Sequence, residues 1–374
     1  MTLANRELFN KLKQLLPSEA PSENPPTPRW IQTNAIEKKW LKEAKFKVDL
    51  DLNFGSQSCL TLVFLDTKTY LLSVGLELNN LGEDFQEIPI NAGLFCAAVQ
   101  ELNLQPIASD SIGLELYENV FTPVAPGGPG ISYLLDSVNK FFPLVKIFEI
   151  KAESPLITPE PSLFRVALFA VTNCVGLITL QWTATGLENA RAICSSQQKF
   201  LPFELVLRAV IERKNVHAFL ELYRCIEFLF PFPKINQLRK KLSVELSTQE
   251  LSEAVEDVLG WRPTEESALQ KLFSALPDDV ISSFRGALSL KNIEDEFLAS
   301  KVATVLYKLR NDCVHFRPIQ RTSTLQSSVI WELLLQTMLL AIPSLYASQV
   351  RVVEVVTPRS TVPPTTEELG SDFN

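Results

Sequence analysis

The sequence feature that most constrains the fold is a helical spacing of apolar residues, which begins at residue 201 and continues to about residue 348. Apolar residues that recur every three to four positions are typical of amphipathic helices packed on a common core. The first segment, 203–230, is predicted to form one long helix that stops at Pro231. Later helical segments are predicted near 249–259, 264–275, 278–290, 293–316 and 325–348. We therefore expect an all-helical bundle over 201–348.

Residues 45–200 have a different pattern, in which β-branched and aromatic runs lie between turn residues. Strands are predicted at Phe46–Leu52, Cys59–Leu65 and Thr69–Leu78, and two more within Phe164–Thr183. Helices are predicted at Ala92–Leu104 and Leu187–Lys199. The expected fold class is thus α+β, with a sheet-rich mixed α/β domain ahead of the helical bundle.

The two ends of the chain differ from both of these regions. The first 44 residues contain two amphipathic helical segments, joined by the Pro-rich linker PSEAPSENPPTPR at 17–29. Residues 349–374 form a polar segment rich in Pro, Ser and Thr, a composition that predicts a disordered tail. The sequence therefore predicts four regions, at 1–44, 45–200, 201–348 and 349–374.

Cysteine usage and hydropathy indicate a cytoplasmic protein without a membrane span. The six cysteines are scattered, with no CxxC pair, and most lie in apolar runs where a free thiol packs as a small hydrophobic group. No charged-then-apolar signal peptide opens the chain. The apolar run Val166–Trp182 is short and rich in β-branched residues, which favours a buried strand pair over a membrane helix. Val329–Tyr346 contains Glu332, Gln336 and Pro343 and is expected to be a core helix.

Histidine limits the chemistry that the chain can carry, because His217 and His315 are its only two. The cysteines lack the spacing of metal ligands, and the sequence has no zinc-protease, P-loop or nucleophile-elbow motif. We therefore expect neither a metal nor another cofactor. Carboxylate pairs such as Asp278-Asp279 belong to ordinary polar helix faces. The remaining candidate is LRNDCVHF at 309–316.

Helical geometry separates this candidate into a buried and an outward face. With 302–316 as one helix, the stripe that faces the core consists of Val302, Val305, Leu306, Leu309, Cys313 and Phe316. Asn311 and His315 point away from this stripe, and Arg310 lies on its flank. Because Asn311 precedes His315 by one turn, its amide can hydrogen-bond to the imidazole and orient it. The alternative is a solvated surface histidine, with Arg310 paired to a nearby carboxylate such as Asp312.

Local charge favours an anion site in spite of the formal net charge of −8. Residues 301–321 contain five basic side chains against one acidic side chain, and residues 205–241 contain eight against three. The intervening stretch 245–296 is strongly acidic. Two basic helical segments in an acidic protein favour a confined site for a polyanion, although charged helix faces are commonly only solvated.

The sequence RNDCVH at 310–315 resembles the Rx4–6H motif of the HEPN superfamily, in which a polar residue follows the arginine. The surroundings are similar as well, since the motif closes one helix and a long apolar helix at 327–346 follows a short polar loop. Upstream, LELYRCIEFLF at 220–230 looks like the family's earlier helix, and Glu227 falls where the family has an acidic residue. The resemblance extends over residues 200–348.

This resemblance implies a metal-independent endoribonuclease of the abortive-infection or anti-phage defence type, with a toxin-like action on RNA. Two subunits would pair through the helical domain so that both Arg310/His315 sets line one cleft. His315 would transfer protons as the ribose 2′-hydroxyl attacks the phosphate, and Arg310 would stabilise the phosphoryl oxygens. Asn311 would position His315, and Glu227 would orient Arg310. Further contacts to the RNA would come from Lys308, Arg317, Arg321 and Arg224.

The same resemblance leaves other functions open. Residues 45–200 would form a sensor or regulatory domain that receives a ligand or a protein. A non-catalytic HEPN-type module would use the same groove to bind a nucleotide, a nucleic acid or a partner protein without turnover. A structural helical bundle with a coincidental motif is the remaining alternative, and a monomer with Arg310 and His315 far apart would support it.

Overall fold

The computed structural model describes residues 2–17, 27–47, 53–55, 57–122, 130–158, 162–173, 182–196, 200–261, 263–315, 326 and 328–349. Several sequence predictions fall outside these residues. They are most of the Pro-rich linker, the strand Phe46–Leu52 after Lys47, most of the second predicted strand before Thr183, the end of the core stripe at Phe316, and the tail after residue 349.

The described strands form one antiparallel sheet and one separate parallel pair. They are β1 (Arg29–Ile31), β2 (Lys45–Lys47), β3 (Asn53–Gly55), β4 (Ser58–Leu65), β5 (Lys68–Val74), β6 (Phe85–Ile88), β7 (Ile131–Tyr133) and β8 (Val145–Ile150). The sheet has the order β2-β4-β5-β8-β6, and β3 also pairs with β4. Strands β1 and β7 form the parallel pair. The predicted strands at Cys59–Leu65 and Thr69–Leu78 are confirmed as the hairpin β4-β5, except that β5 ends at Val74.

Both faces of the sheet are covered, because its central strands carry apolar side chains on each face in alternation. Leu60, Leu62 and Leu71 lie in a core shared with the C-terminal helices. Val63 and Leu72 point the other way, into a second core shared with the N-terminal helices. The sheet is therefore the middle layer between two helical layers.

The N-terminal layer consists of short helices that cover one face of the sheet. They are α1 (Thr2–Lys13), α2 (Ala35–Glu43), α3 (Ala92–Glu101), α4 (Asp110–Asn119) and α5 (Asp136–Asn139). Helix α3, which confirms the helix predicted near Ala92–Leu104, packs against α1 and α2. Helix α2 begins with a capping box, in which Asn34 Oδ1 accepts from the Glu37 N–H and Glu37 Oε2 accepts from the Asn34 N–H.

The C-terminal part of the described chain is helical. Its helices are α6 (Leu163–Asn173), α7 (Ala184–Ser195), α8 (Phe203–Ile211), α9 (Asn215–Glu227), α10 (Phe232–Leu242), α11 (Thr248–Leu259), α12 (Glu265–Phe273), α13 (Asp278–Ala287), α14 (Asp295–Val314) and α15 (Trp331–Gln349). The five segments predicted after residue 245 are confirmed as α11 to α15. The protein is thus a mixed α and β fold, with its sheet in the N-terminal region and most helices in the C-terminal part. No helix of the described residues is long and apolar enough to cross a lipid bilayer.

The prediction of strands within Phe164–Thr183 is wrong for its described first part, which is helix α6. Most of its residues are buried, because α6 packs against both β4 and α8. A run that is buried on most sides carries no clear period to separate helix from strand. The β-branched residues Val166, Val171 and Thr172 favour a strand locally, and tertiary packing overrides that preference.

The single helix predicted over 203–230 is also wrong, since the chain forms two helices, α8 and α9, that pack on each other. Glu212 ends α8 in an extended conformation (φ −66°, ψ 154°), and exposed residues follow before α9 begins. Apolar spacing continues across the break because both helices bury apolar faces in one core. Pro231 does not simply stop a helix, because α10 begins at Phe232 with Pro233 in its first turn, where proline is tolerated.

Helices α6 and α7 share their core with the helices that follow residue 200. Helix α6 packs on α8, and α7 packs on α15. Polar contacts join the same parts of the chain: Trp182 Nε1 donates to Val210 O (3.2 Å) and Thr183 Oγ1 donates to Gln336 Oε1 (2.6 Å). The division of the chain at residue 200 stays a prediction, but the packing of α6 and α7 links them closely to the C-terminal helices.

Candidate functional site

Helix α14 carries the motif and holds its residues on the faces expected from the helical wheel. Val302, Leu306 and Leu309 are buried in the C-terminal core, and Cys313 packs against that core while half-buried. The neighbouring polar residues are less buried than this stripe, and exposure increases toward the end of the helix. The packing of α14 therefore fixes which side chains can reach a ligand.

Arg310 contacts an acidic residue from another helix. Its Nη2 lies 3.1 Å from Glu227 Oε1, at the C-terminal end of α9. Its Nη1 donates to Asn311 Oδ1 (3.1 Å). About a quarter of each ion-pair side chain is exposed (23% for Arg310 and 28% for Glu227). The sequence alternative in which Arg310 pairs with Asp312 is not what the structure has, and the expected contact between Arg310 and Glu227 is present.

Burial and charge act in opposite directions on Glu227. Burial is the largest influence and raises the pKa of this carboxyl above its usual 4.5, and Glu265 raises it further. The charge and hydrogen bond of Arg310 act against this rise in pKa. The Glu227 carboxylate is thus partly removed from water and is stabilised in its charged form by the Arg310 guanidinium.

His315 lies just past the end of α14 and is exposed to solvent. Its backbone N–H donates to Asn311 O (2.9 Å), which closes the last turn of the helix. Its imidazole makes no hydrogen bond within the described part of the chain. The Asn311 amide accepts from Arg310, not from His315, so the expected orientation of the imidazole by Asn311 is absent.

Tyr223 lies one turn before Glu227 and is buried beneath the ion pair, with 1% of its surface exposed. Burial is the largest of the influences that raise the pKa of its hydroxyl. The negative charges of Glu227 and Glu265 raise this pKa further, and the positive charge of Arg310 lowers it. Among the described residues its hydroxyl has no hydrogen-bond partner. A buried hydroxyl without a partner among the described residues therefore lies near the ion pair.

A cavity of about 490 Å³ opens beside Arg310 and Glu227. One part of its wall is aromatic and consists of Phe228, Phe230, Phe232 and Trp261. Another part is polar and consists of Gln249, Ser252, Glu253, Glu256 and Glu265. Sequence reasoning did not identify these residues, although the cluster FLFPF at 228–232 and the acidic stretch 245–296 were signals of unusual composition.

The expected RNA-binding residues are only partly described. Lys308 is exposed on α14. Arg224 is exposed on α9, where its Nη1 donates to Glu221 Oε1 (2.9 Å). Arg317 and Arg321 lie outside the described residues. Lys308 and Arg224 thus lie on the two helices that supply the ion pair.

Within the described ranges, no three His, Cys, Asp or Glu side chains are grouped so that they could hold a metal ion. The described cysteines are free thiols. Comparisons with family models, with curated proteins and with solved structures gave no match to this chain.

Proposed function

We propose that the chain is a metal-independent endoribonuclease of HEPN type, with Arg310 and His315 as its catalytic residues. The observation that carries the proposal is the contact between Arg310 and Glu227, which joins the motif helix to the earlier helix as the family resemblance leads one to expect. The exposure of His315 at the end of the same helix supports it, because a proton-transfer group must be able to reach the RNA.

The proposed reaction is a transesterification within the RNA strand. The ribose 2′-oxygen forms a bond to phosphorus while the bond from phosphorus to the 5′-oxygen breaks, which leaves a 2′,3′-cyclic phosphate and a 5′-hydroxyl. With two His315 side chains in one dimeric cleft, one accepts the 2′-hydroxyl proton and the other donates a proton to the 5′-oxygen. Arg310 stabilises the negative charge on the phosphoryl oxygens.

Two further residues act through Arg310. Glu227 holds one side of the guanidinium and leaves its other N–H groups for phosphate. Asn311 Oδ1 accepts a hydrogen bond from Arg310 Nη1. We therefore assign Asn311 to positioning Arg310, whereas the sequence suggested that it positions His315. Residues 45–200 would act as the sensor of a defence or toxin-like effector, and a fold alone does not identify what they sense.

The test is cleavage of single-stranded RNA by the full chain in EDTA, with the ends of the products identified. His315→Ala and Arg310→Ala should each lower the rate by about a hundredfold or more, the usual contribution of such groups. His217→Ala is the matched control, because His217 is an exposed histidine on the neighbouring helix α9, close to Glu212 (3.7 Å). Equal rates for wild type and both site variants would refute the proposal.

A non-catalytic binding module is the second candidate, and the acidic wall of the cavity favours it. Glu253, Glu256 and Glu265 face the space beside Arg310 and disfavour a second phosphate there. In this case the groove would bind a partner protein, and neither wild type nor Arg310→Ala would cleave RNA. The products of the same RNA assay separate the two functions.

A further inference from the structure

The cavity beside Arg310 combines aromatic faces with carboxylates. The turn from α9 into α10 contributes Phe228, Phe230 and Phe232, and the link from α11 to α12 contributes Trp261. At about 490 Å³ the space is large enough for an organic molecule. Aromatic walls of this kind offer both apolar surface and the negative faces of π-systems.

The charge of this wall is strongly negative. Among the described lining residues there are four carboxylates, Glu227, Glu253, Glu256 and Glu265, and one guanidinium, that of Arg310. Arg310 already contacts Glu227 at 3.1 Å. Glu265 makes no hydrogen bond or ion pair within the described residues. The described side chains of the lining therefore carry three more formal negative charges than positive ones.

One buried polar atom of the cavity wall is also without a partner among the described residues. Gln249 Oε1, in the wall formed by α11, is buried and receives no hydrogen bond from the described residues. Buried polar groups in proteins are normally satisfied, so this unpaired oxygen is an acceptor that a ligand in the cavity can use.

One ring of the cavity already holds a cation from this chain. Lys234 Nζ lies 5.3 Å from the centroid of the Trp261 ring. That distance is typical of a cation–π interaction, in which the ring quadrupole attracts a positive charge. The indole of Trp261 is therefore placed where an ammonium group can approach its face.

We propose that this cavity binds an organic cation, in which an amidinium, guanidinium or alkylammonium group is carried on an apolar body. The carboxylates attract its charge, and the aromatic rings contact both its charged head and its apolar body. Gln249 Oε1 accepts a hydrogen bond from one of its N–H groups. Inside the cavity the same carboxylates repel the negative charge of a phosphate-rich ligand. The proposal does not rest on ribonuclease activity, since binding is measured directly.

The test is isothermal titration of the full chain with benzamidine and with benzamide, a planar cation and its neutral counterpart of nearly the same shape. Benzamidine should bind at least about tenfold more tightly, the preference expected of a desolvated charge-assisted contact. Agmatine and tetramethylammonium extend the series to a guanidinium and a quaternary ammonium. Guanosine, which is neutral but rich in donors, shows whether charge is the property that the cavity recognises.

Variants of two lining residues, Glu265 and Trp261, test whether the cation binds in this cavity. Glu265→Gln should weaken benzamidine binding by about fivefold to tenfold, because it removes one charge at constant shape. Glu245→Gln is the matched control, since Glu245 is exposed in the same acidic stretch and does not line the cavity. Trp261→Leu should weaken tetramethylammonium more than benzamide, because it keeps apolar surface and removes the π face.

Three results would overturn the proposal. They are equal affinity for benzamidine and benzamide, tighter binding of guanosine than of every cation, and no binding of any of the three cations up to about 10 mM. Thermal melting of each variant beside wild type confirms that a loss of binding is not a loss of folding. A cation that binds equally well to Glu265→Gln and wild type would place the site elsewhere and also contradict the proposal.

Discussion

At the scale of single residues, Glu227 is the group on which the site depends most. It is the last residue of α9, and its carboxylate contacts Arg310 on α14. Burial and the nearby Glu265 raise its pKa above 4.5 even though Arg310 opposes the rise. Its ionised form is therefore less favourable in the folded protein than in the unfolded chain, so the net effect of ionisation is to lower stability.

Glu227→Gln tests the sign of this linkage. The pKa of Glu227 is higher in the folded protein than in the unfolded chain. The stability that its protonated carboxyl contributes is therefore fully present below the usual carboxyl pKa and is lost as the pH rises through the folded pKa. The stability of wild type relative to Glu227→Gln should thus fall as the pH rises above the usual carboxyl pKa of 4.5. Urea unfolding at several pH values measures the difference, and Glu245→Gln controls for loss of one negative charge. A relative stability that rises with pH would mean that the attraction of Arg310 outweighs burial.

The sequence predicted part of the site at this scale. Residues Arg310 and His315 follow from motif spacing, and the half-buried and exposed positions follow from the helical period. The hydrogen bond from Arg310 to Asn311 could not be predicted, because adjacent residues on a helix meet only through particular rotamers. The cavity could not be predicted either, since its wall joins residues from α9 to α14 that only tertiary packing brings together.

At the scale of elements, the end of α9 is fixed by a side chain from α15. Tyr346 is buried, and its hydroxyl donates to Cys225 O (2.9 Å) in the last turn of α9. In a continuing helix the Leu229 N–H would donate to Cys225 O, but here it donates to Ile226 O (3.0 Å). Helices leave their final carbonyls without internal donors, so Tyr346 supplies a donor that the helix lacks. This contact holds the turn from which Glu227 reaches Arg310.

Two buried tyrosines give a matched comparison for this contact. Tyr346→Phe should lower the free energy of unfolding by about 1–2 kcal/mol, because it leaves a buried carbonyl without its donor. Tyr223→Phe should leave stability unchanged or raise it by up to about 1 kcal/mol, since its hydroxyl has no partner among the described residues. Both free energies come from urea unfolding. A loss of similar size in both variants would show that Tyr223 has a partner in solution, and no loss in Tyr346→Phe would contradict its capping role.

Helical elements with a polar face were predicted from the sequence, and those without one were not. Segments α11 to α15 each alternate buried and exposed residues or carry polar residues at their ends, so their period is visible. Helix α6 is buried between the sheet and α8, and its composition alone favours a strand. The break between α8 and α9 was missed for a related reason, because an exposed Arg213-Lys214 pair fits a helix surface as well as a turn.

At the scale of the whole molecule, one apolar core continues from the sheet into the C-terminal helices. Leu60 and Leu71 on the sheet belong to the same cluster as Leu309 on α14 and Leu345 on α15. Helix α6 lies at the middle of this cluster, where Phe169 meets Phe85 from β6 (5.9 Å between ring centroids). The predicted division at residue 200 would cut through this core, because it separates α6 and α7 from the C-terminal helices on which they pack.

Two fragments measure where the C-terminal unit begins. A fragment of residues 201–349 exposes the buried face of α8, which includes Val206 and Val210, and loses the contact of α7 with α15. A fragment of residues 162–349 keeps these contacts and exposes the side of α6 that packs on the sheet. The longer fragment should melt cooperatively, whereas the shorter one should melt without a sharp transition and bind a hydrophobic dye. Circular dichroism melting measures both, with the full chain as reference. Equal, cooperative melting of the two fragments would restore residue 201 as the start of an independent helical domain and would assign the packing of α6 and α7 to an interface between domains.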